Sequence, residues 1–282
     1  MATTPPSTPK KPRRYLLARH GETNFNKEKR VQGTLDTSVL TLEGISQAAA
    51  LGVYISGRQD GKAKEEEDGS SIEPSLPITR TWCSPMTRCR QTYAAISGGC
   101  TSSSSYGHPL PNPTIHADLR EIELREWQGR LRQEIIEQDS DNWNTFKKDP
   151  RLLRLDGGLF APVLDCWERG LSNWNVIRSD AAAAAKLEST NDSEDEESAV
   201  VFTMCHGAIG QCMLLQALGI DIEMYGKSRR YSFDNCECIE IEWADGEECS
   251  TRWRRVHPVV TKWLSTSASQ MMDSSGGLSC GR

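Results

Sequence analysis

Short apolar runs recur along the chain and predict the strands of a buried sheet. Residues 15–18 and 199–205 are continuously apolar, as expected for strands buried on both faces. Residues 79–83 combine β-branched and aromatic side chains, which favour a further strand. Residues 231–243 and 251–256 predict two late strands.

Segments with helical periodicity lie between these runs. Thr41 is placed to cap a helix in which Leu42, Ile45, Ala49 and Gly52 recur at helical spacing and predict a stripe that faces the sheet. The other predicted helices run from Pro85 to about residue 96, over 130–148 as two short helices broken near Ser140, over 160–177 with Val163, Trp167, Leu171 and Trp174 on one stripe, and over 207–218 before Gly219.

The alternation of strands and helices predicts an α/β fold, a three-layer sandwich with a mostly parallel central sheet. We expect one domain over residues 15–264, with flexible tails at residues 1–14 and 265–282. Residues 58–77 and 178–198 are charged and rich in small residues, which indicates acidic loop insertions near these positions.

The formal net charge of −6 is concentrated in the two insertions. Residues 58–77 carry three basic and six acidic side chains, and residues 186–197 carry one and six, which leaves the rest of the chain slightly basic. A pocket for an anionic substrate is therefore electrostatically reasonable. Because Lys and Arg are dispersed and no apolar run could cross a bilayer, we expect neither a nucleic-acid nor a membrane partner.

The start of the chain and its cysteines favour a cytoplasmic protein. Residues 1–14 have no apolar stretch and do not resemble a secretory signal. They are also short for a plastid transit peptide, which is why the cytoplasm is preferred and the plastid is kept only as the alternative. The ten cysteines show no CxxC pairing and no repeated spacing. We expect reduced thiols rather than a disulfide framework or a zinc site.

Two of the five histidines directly follow predicted strands. His20 precedes Gly21, and His206 precedes Gly207, at the edge of an α/β sheet where ligands bind. A histidine after a strand is often structural, but two such placements together favour a site. His108, His116 and His257 lack this setting, and we expect structural or surface roles for them.

Four ordered blocks around these histidines resemble the signatures of the histidine phosphatase, or phosphoglycerate mutase-like, superfamily. Arg19-His20-Gly21-Glu22-Thr23-Asn24-Phe25-Asn26 with Arg30-Val31-Gln32-Gly33 resembles RHGETxxN followed by RxQG. The other three blocks are Ser84 to Thr92 (SxLxRAxxT), Leu119-Arg120-Glu121-Ile122 with Trp127-Gln128-Gly129 (LREIxxGxWEG), and His206-Gly207-Ala208-Ile209 (HGGxI). One such motif is weak, but four in the family order are specific.

The resemblance implies a phosphatase that works through a phosphohistidine on His20. Phosphoryl transfer needs fixed cationic donors around the nucleophile, a role implied for Arg19, Arg88 and His206. His20 should present one neutral nitrogen to phosphorus while the other donates to an acceptor such as a backbone carbonyl. Glu121 is implied as the proton donor to the leaving alkoxide and then as the base for water.

Residues that line the pocket in this family are implied at Thr23, Asn26, Gln32, Gly33 and Gly207. Thr23 and Asn26 have an alternative, because either side chain could cap the turn after the first strand. Gly33 would allow a close backbone approach. We find no metal-ligand spacing and no phosphate-binding GxxxxGK[ST] loop, so we expect no metal and no cofactor.

The sequence departs from the family pattern at three places. Arg125 stands where the motif has glycine, and Gln128 stands where glutamate is common. Ser38-Val39-Leu40-Thr41 replaces the usual DxPLT and resembles plant 2-carboxyarabinitol-1-phosphatase-like members. These differences leave the substrate open.

We expect a phosphatase for a small phosphorylated metabolite, such as a sugar phosphate, that acts as a monomer or homodimer. The alternatives are a cofactor-dependent phosphoglycerate mutase and a non-catalytic scaffold on the same fold. A mutase carries a longer basic segment before the second histidine block, which we do not recognise here. A scaffold has no physical need for the five residues His20, Arg19, Arg88, Glu121 and His206 together.

Overall fold

A computed structural model of the chain describes residues 13–59, 78–102, 110–188, 200–243, 251–256 and 264–266. The strands are β1 (Arg13–Arg19), β2 (Ile78–Cys83), β3 (Thr114–Ile115), β4 (Val200–Cys205), β5 (Cys238–Trp243), β6 (Thr251–Val256) and β7 (Leu264–Thr266). The α-helices are α1 (Asn24–Lys27), α2 (Leu42–Gln59), α3 (Thr87–Ser102), α4 (Arg132–Gln138), α5 (Ser140–Lys148), α6 (Pro162–Glu188) and α7 (Gly207–Ala217).

The strands form one seven-stranded sheet in the order β3-β2-β4-β1-β5-β6-β7. The four strands from β3 to β1 are parallel, and β5, β6 and β7 continue the sheet in antiparallel pairing. The predicted α/β class and parallel core are confirmed, and the sheet also carries an antiparallel half.

Two apolar cores lie on opposite faces of this sheet, which gives the predicted three layers. Successive residues of β1 point to different cores: Tyr15 and Leu17 belong to the core under α6 and α7, whereas Leu16 and Ala18 belong to the core under α2 and α3. This alternation is why a central strand must be apolar on both faces. None of the described helices combines the length and apolarity needed to cross a membrane.

Two predicted helix stripes are confirmed only in part. On α2, Leu42 is 87% exposed and Ile45 is 46% exposed, while Ala48, Leu51 and Ile55 are buried. On α6, Val163 and Trp174 of the predicted stripe are buried, but Leu171 is 48% exposed and the buried face also includes Cys166. On both helices the buried face is displaced from the predicted stripe and includes small residues such as Ala48 on α2 and Cys166 on α6.

Several predicted boundaries also differ. The helix predicted to end at residue 177 continues to Glu188, so the insertion predicted over 178–198 begins as helix. The helix after Pro85 continues to Ser102, and the strand predicted over 231–243 begins only at Cys238. Strand β1 begins at Arg13 and β7 ends at Thr266, which moves both predicted tail boundaries slightly. The remainder of the tails, most of 58–77, and His108 and His257 lie outside the described residues.

Candidate active site

The two histidines lie side by side because their strands are neighbours in the sheet. Strands β1 and β4 are parallel and paired so that Arg19 lies opposite Cys205, one residue before each histidine. The His20 amide donates to the Cys205 carbonyl oxygen at 3.1 Å. The two imidazole centroids are 5.2 Å apart with an edge-to-face angle of 67°.

His20 is buried and held in one tautomer. Its Nδ1 lies 2.8 Å from the Gly21 carbonyl oxygen. Because a carbonyl can only accept, Nδ1 carries the proton and Nε2 keeps its lone pair, as the chemistry requires. Burial, followed by the positive charges of Arg19 and Arg88, holds the pKa of His20 well below its ordinary value. The imidazole is therefore neutral.

His206 is also neutral, which corrects the expectation that it supplies a cationic donor. Arg88 Nε donates to its Nδ1 at 3.2 Å, and Ser84 Oγ lies 2.8 Å from its Nε2. Since a guanidinium has no lone pair to offer, Nδ1 must accept, and Nε2–H donates to Ser84. Burial, then the charges of Arg88, His20 and Arg19, keep the pKa of His206 well below its ordinary value.

Arg88 lies on α3, fully buried, and is oriented by the backbone of the loop after α1. Its Nη2 donates to the Gly33 carbonyl at 2.7 Å, and its Nη1 donates to the Leu35 carbonyl at 2.9 Å. Gly33 has a φ of +52°, and an added Cβ would lie 2.0 Å from Gln128 Oε1. A glycine is thus required where the loop presents its carbonyl to Arg88.

Arg19 ends β1 and is anchored by one nitrogen. Its Nη1 donates to the Phe233 carbonyl at 2.7 Å, while its buried Nε has no partner among the described residues. A Cβ added at Gly207 would lie 3.6 Å from that Nε, so the first residue of α7 sits directly beside it. A buried N–H that the protein leaves unpaired is a natural contact for an anionic ligand.

Glu121 joins this group through α7. Its Oε1 accepts from the backbone amides of Ala208 at 3.0 Å and Ile209 at 3.2 Å, in the first turn of the helix that begins after His206. The carboxylate therefore lies at the positive end of α7. Residues 19, 20, 88, 121 and 206 are connected through a continuous set of short contacts.

The predicted pocket residues Thr23, Asn26 and Gln32 form one polar network. Thr23 is buried, and its hydroxyl accepts from the Asn26 backbone amide at 3.1 Å. Thr23 therefore caps α1, which is the alternative role that the sequence left open for it. Asn26 Oδ1 accepts from the Thr23 amide at 3.2 Å. Gln32 Oε1 accepts from Ser38 Oγ at 2.8 Å and from Thr23 Oγ1 at 3.1 Å. A substrate contact from these side chains stays a prediction.

Sequence reasoning missed three residues that support the site. Ser84 holds His206 and lies inside a block that the motif quoted, so it could have been found. Arg169, on α6, donates to the carbonyls of Asp118, Arg120 and Glu121 and so fixes the backbone of the Glu121 loop. Asn235 contacts the carbonyl of His20 from an irregular segment just before β5, which the sequence predicted as strand.

The two departures near Glu121 have structural consequences. Arg125 adopts a φ of +38°, a conformation that glycine takes without strain. Its guanidinium lies 4.4 Å from the Phe160 ring centroid and 3.3 Å from Glu123. Gln128 Oε1 accepts from the Thr34 amide at 2.5 Å and the Leu124 amide at 3.3 Å, so an oxygen at this position joins two loops.

Fold and site together define an α/β protein with two neutral histidines, the buried Arg88 and the half-buried Arg19 at the carboxyl edge of its parallel strands. Residues 15–256 match the histidine phosphatase superfamily (branch 1), and the chain belongs to this family.

Two curated relatives are plant proteins. The chain is 29% identical over 237 residues to a probable 2-carboxy-D-arabinitol-1-phosphatase of Arabidopsis thaliana, covering 83% of this chain and 39% of that protein. It is 27% identical over 213 residues to 2-carboxy-D-arabinitol-1-phosphatase of Triticum aestivum, covering 76% of this chain and 34% of that protein. The chain thus spans well under half the length of these two relatives.

Solved structures share the fold. A mycobacterial glucosyl-3-phosphoglycerate phosphatase superposes with a TM-score of 0.61 at 18% identity, covering 91% of this chain and 98% of that one. YhfR of Bacillus stearothermophilus gives a TM-score of 0.56 at 22% identity, covering 84% and 93%. A phosphoserine phosphatase of Entamoeba histolytica gives 0.51 at 19% identity, covering 83% and 95%.

Proposed function

We propose that this chain is a phosphomonoesterase that hydrolyses a small phosphorylated metabolite through a phosphohistidine on His20. The observation that carries the proposal is the state of the His20 ring, which is neutral and buried, with its proton on Nδ1 facing the Gly21 carbonyl and its lone pair on Nε2. Arg88, Arg19 and the amide of Gly207 are grouped around the two histidines, where they would surround the equatorial phosphoryl oxygens.

The reaction has two steps. In the first, the Nε2 lone pair attacks phosphorus, the bond from phosphorus to the ester oxygen breaks, and the Glu121 carboxyl gives its proton to the departing alkoxide. In the second, Glu121 takes a proton from water, the oxygen of that water attacks phosphorus, and the N–P bond breaks to release phosphate and restore His20. Arg88 would hold phosphoryl oxygens in both steps through its planar fork.

We propose that no metal takes part, because the two arginines supply the positive charge that a metal would otherwise supply.

The names of the similar proteins suggest which substrates to test first. A carboxyarabinitol phosphate, a glucosyl phosphoglycerate and phosphoserine each carry both a phosphate ester and a carboxylate group. The cysteines whose side chains the structure describes form no disulfide. They support a reducing compartment, and we propose the cytoplasm, with the plastid as the alternative.

A phosphate-release screen over carboxylated and uncarboxylated phosphomonoesters tests the activity, with and without a chelator. We expect His20→Ala to lower hydrolysis by more than about a thousandfold. His116→Ala, which changes a histidine away from the site, is the matched control and should keep activity. Because a phosphohistidine is hydrolysed in acid, denaturation at alkaline pH with labelled substrate should trap a phosphoenzyme in the wild type and in no His20 variant.

Other outcomes separate the alternatives. Conversion of 3-phosphoglycerate to 2-phosphoglycerate faster than phosphate release would identify a mutase instead. Absence of turnover and of labelled phosphoenzyme across the panel would favour a scaffold. Loss of activity with the chelator, restored by a divalent cation, would contradict the metal-free mechanism.

A further inference from the structure

A turn that comes late in the sequence closes over the backbone of His20. Asn235 Nδ2 lies 3.1 Å from the His20 carbonyl oxygen, and the Cys236 amide donates to the same oxygen at 3.2 Å. The Arg19 amide donates to the Glu237 carbonyl at 3.1 Å. The segment just before β5 therefore grips the two residues that end β1.

Among the described residues of this turn, Asn235 is the only one whose side chain forms a hydrogen bond with the His20 carbonyl. The same side chain also connects His20 to the network of Thr23, Asn26 and Gln32. Its Nδ2 lies 3.2 Å from Asn26 Oδ1. The Thr23 backbone amide can only donate, so the side-chain atom of Asn26 that faces this amide must be the oxygen Oδ1. Asn235 thus faces two acceptors and must present its NH₂ group to both.

The His20 carbonyl matters because it belongs to the peptide that leads into Gly21. The next carbonyl along, that of Gly21, accepts from Nδ1 and fixes the tautomer of the His20 ring. Rotation of the His20–Gly21 peptide would move this acceptor and reorient Nε2. Reacting atoms that shift by about 1 Å can cost about a hundredfold in rate.

We propose that Asn235 is a positioning residue that holds the His20 backbone, and through it the ring, in the orientation needed for attack on phosphorus. The proposal rests on the proposed function for its kinetic consequence. Its structural content, the tautomer of His20, can be tested in the free protein.

The test uses the isosteric variant Asn235→Asp, which turns a donor pair into acceptors facing two other acceptors, and Asn235→Ala, which removes the contact. We expect kcat to fall by about ten- to a hundredfold in both, with KM within about twofold. Asn175→Asp and Asn175→Ala, on the exposed face of α6, are the matched controls and should leave both constants unchanged.

Nitrogen-15 NMR of histidine-labelled protein supplies a readout that a merely structural residue would not move. Wild-type His20 should show one neutral tautomer protonated at Nδ1, and the Asn235 variants should show a mixture of tautomers, whereas the Asn175 variants should not. This measurement needs no turnover, so it stands even if the wild type proves inactive and the proposed function fails.

Unchanged kcat in both Asn235 variants would overturn the positioning role. A fall in kcat with an unaltered His20 tautomer would also overturn it, since Asn235 would then act by another route. If both variants lose the folded state in circular dichroism while the Asn175 variants keep it, Asn235 is a structural residue and the proposal is wrong.

Discussion

The nucleophilic role proposed for His20 depends on groups that act on opposite sides of one ring. The Gly21 carbonyl fixes the proton on Nδ1, while burial and two guanidinium charges keep Nε2 unprotonated. A histidine with an ordinary pKa near 6.5 would be partly protonated in mildly acidic solution. The lowered pKa therefore keeps the attacking nitrogen available without a separate base to deprotonate it.

Variants of Arg125 test whether its side-chain contacts offset the backbone strain at this position near Glu121. Arg125→Ala keeps a β-carbon at a φ of +38° and loses the contacts with Phe160 and Glu123. Arg125→Gly loses the same contacts but removes the strain. We expect the glycine variant to be more stable than the alanine variant by about 1 kcal/mol, measured by urea unfolding.

Either single variant alone would be hard to interpret, since an exposed cation–π contact is worth about 0.5–1 kcal/mol and could hide the strain. The difference between the two variants isolates the backbone effect. Equal stabilities would show that the backbone at residue 125 relaxes once the arginine side chain is removed.

At the level of elements, two glycines let the loop after β1 touch the start of α2. A Cβ on Gly44 would lie 2.1 Å from the Glu22 carbonyl oxygen, and a Cβ on Gly21 would lie 2.5 Å from the Gly44 carbonyl oxygen. Thr41 strengthens the junction, since its Oγ1 accepts from the Gly44 amide at 3.0 Å. The first turn of α2 thus supports the backbone beside His20.

This contact predicts opposite effects for two helical glycines. Gly44→Ala should destabilise the fold by about 1–3 kcal/mol, because the added methyl group meets backbone that cannot rotate away. Gly98→Ala, on α3, meets no atom of the described residues within 4 Å and should stabilise by up to about 1 kcal/mol, since alanine favours a helix over glycine. Urea unfolding of both variants measures the difference.

The proximity to His20 adds a second measurement. Gly44→Ala should also lower kcat, whereas Gly98→Ala should not. A Gly44→Ala protein as stable and as active as the wild type would mean that the loop and α2 separate without cost, contrary to the packing described here.

The sequence predicted elements best where one physical signal dominated. The continuous apolar run of β4 and the break between α4 and α5 appear where the pattern placed them. The stripe on α2 was misplaced because the buried side begins with Gly44 and Ala48, which carry little apolar signal, and only then includes Leu51 and Ile55. Asn235 was missed because it lies in the part of the predicted strand 231–243 that is irregular in the structure, where β5 begins only at Cys238.

For the whole molecule, the sheet order brings the site together. The sequence places His20 and His206 after strands, but it does not say that β1 and β4 are neighbours, and only the family resemblance implied that they meet. Strand β5 pairs antiparallel with the other side of β1, and neither the apolar pattern nor the motifs predicted this pairing. Because β5 runs in the opposite direction, the turn that precedes it lies at the same edge as the carboxyl ends of the parallel strands.

The two buried neutral histidines also predict how stability depends on pH. Their folded pKa values lie well below the unfolded value of about 6.5, so below that pH the unfolded chain binds protons that the folded chain does not. The free energy of unfolding should therefore be nearly unaffected by these groups well above pH 6.5 and should fall below it, with a slope that approaches about 1.4 kcal/mol per pH unit for each histidine. Urea titrations from pH 7.5 to 5.5 in a phosphate-free buffer measure this slope.

His20→Asn should remove about half of that slope, because one of the two proton-binding differences is gone. The window stays above the ordinary range of carboxyl titration, so Asp and Glu contribute little to it. A wild-type stability that stays constant down to pH 5.5 would contradict the buried neutral state of both rings. An unchanged slope in His20→Asn would place the effect elsewhere and remove the basis for a neutral nucleophile at this position.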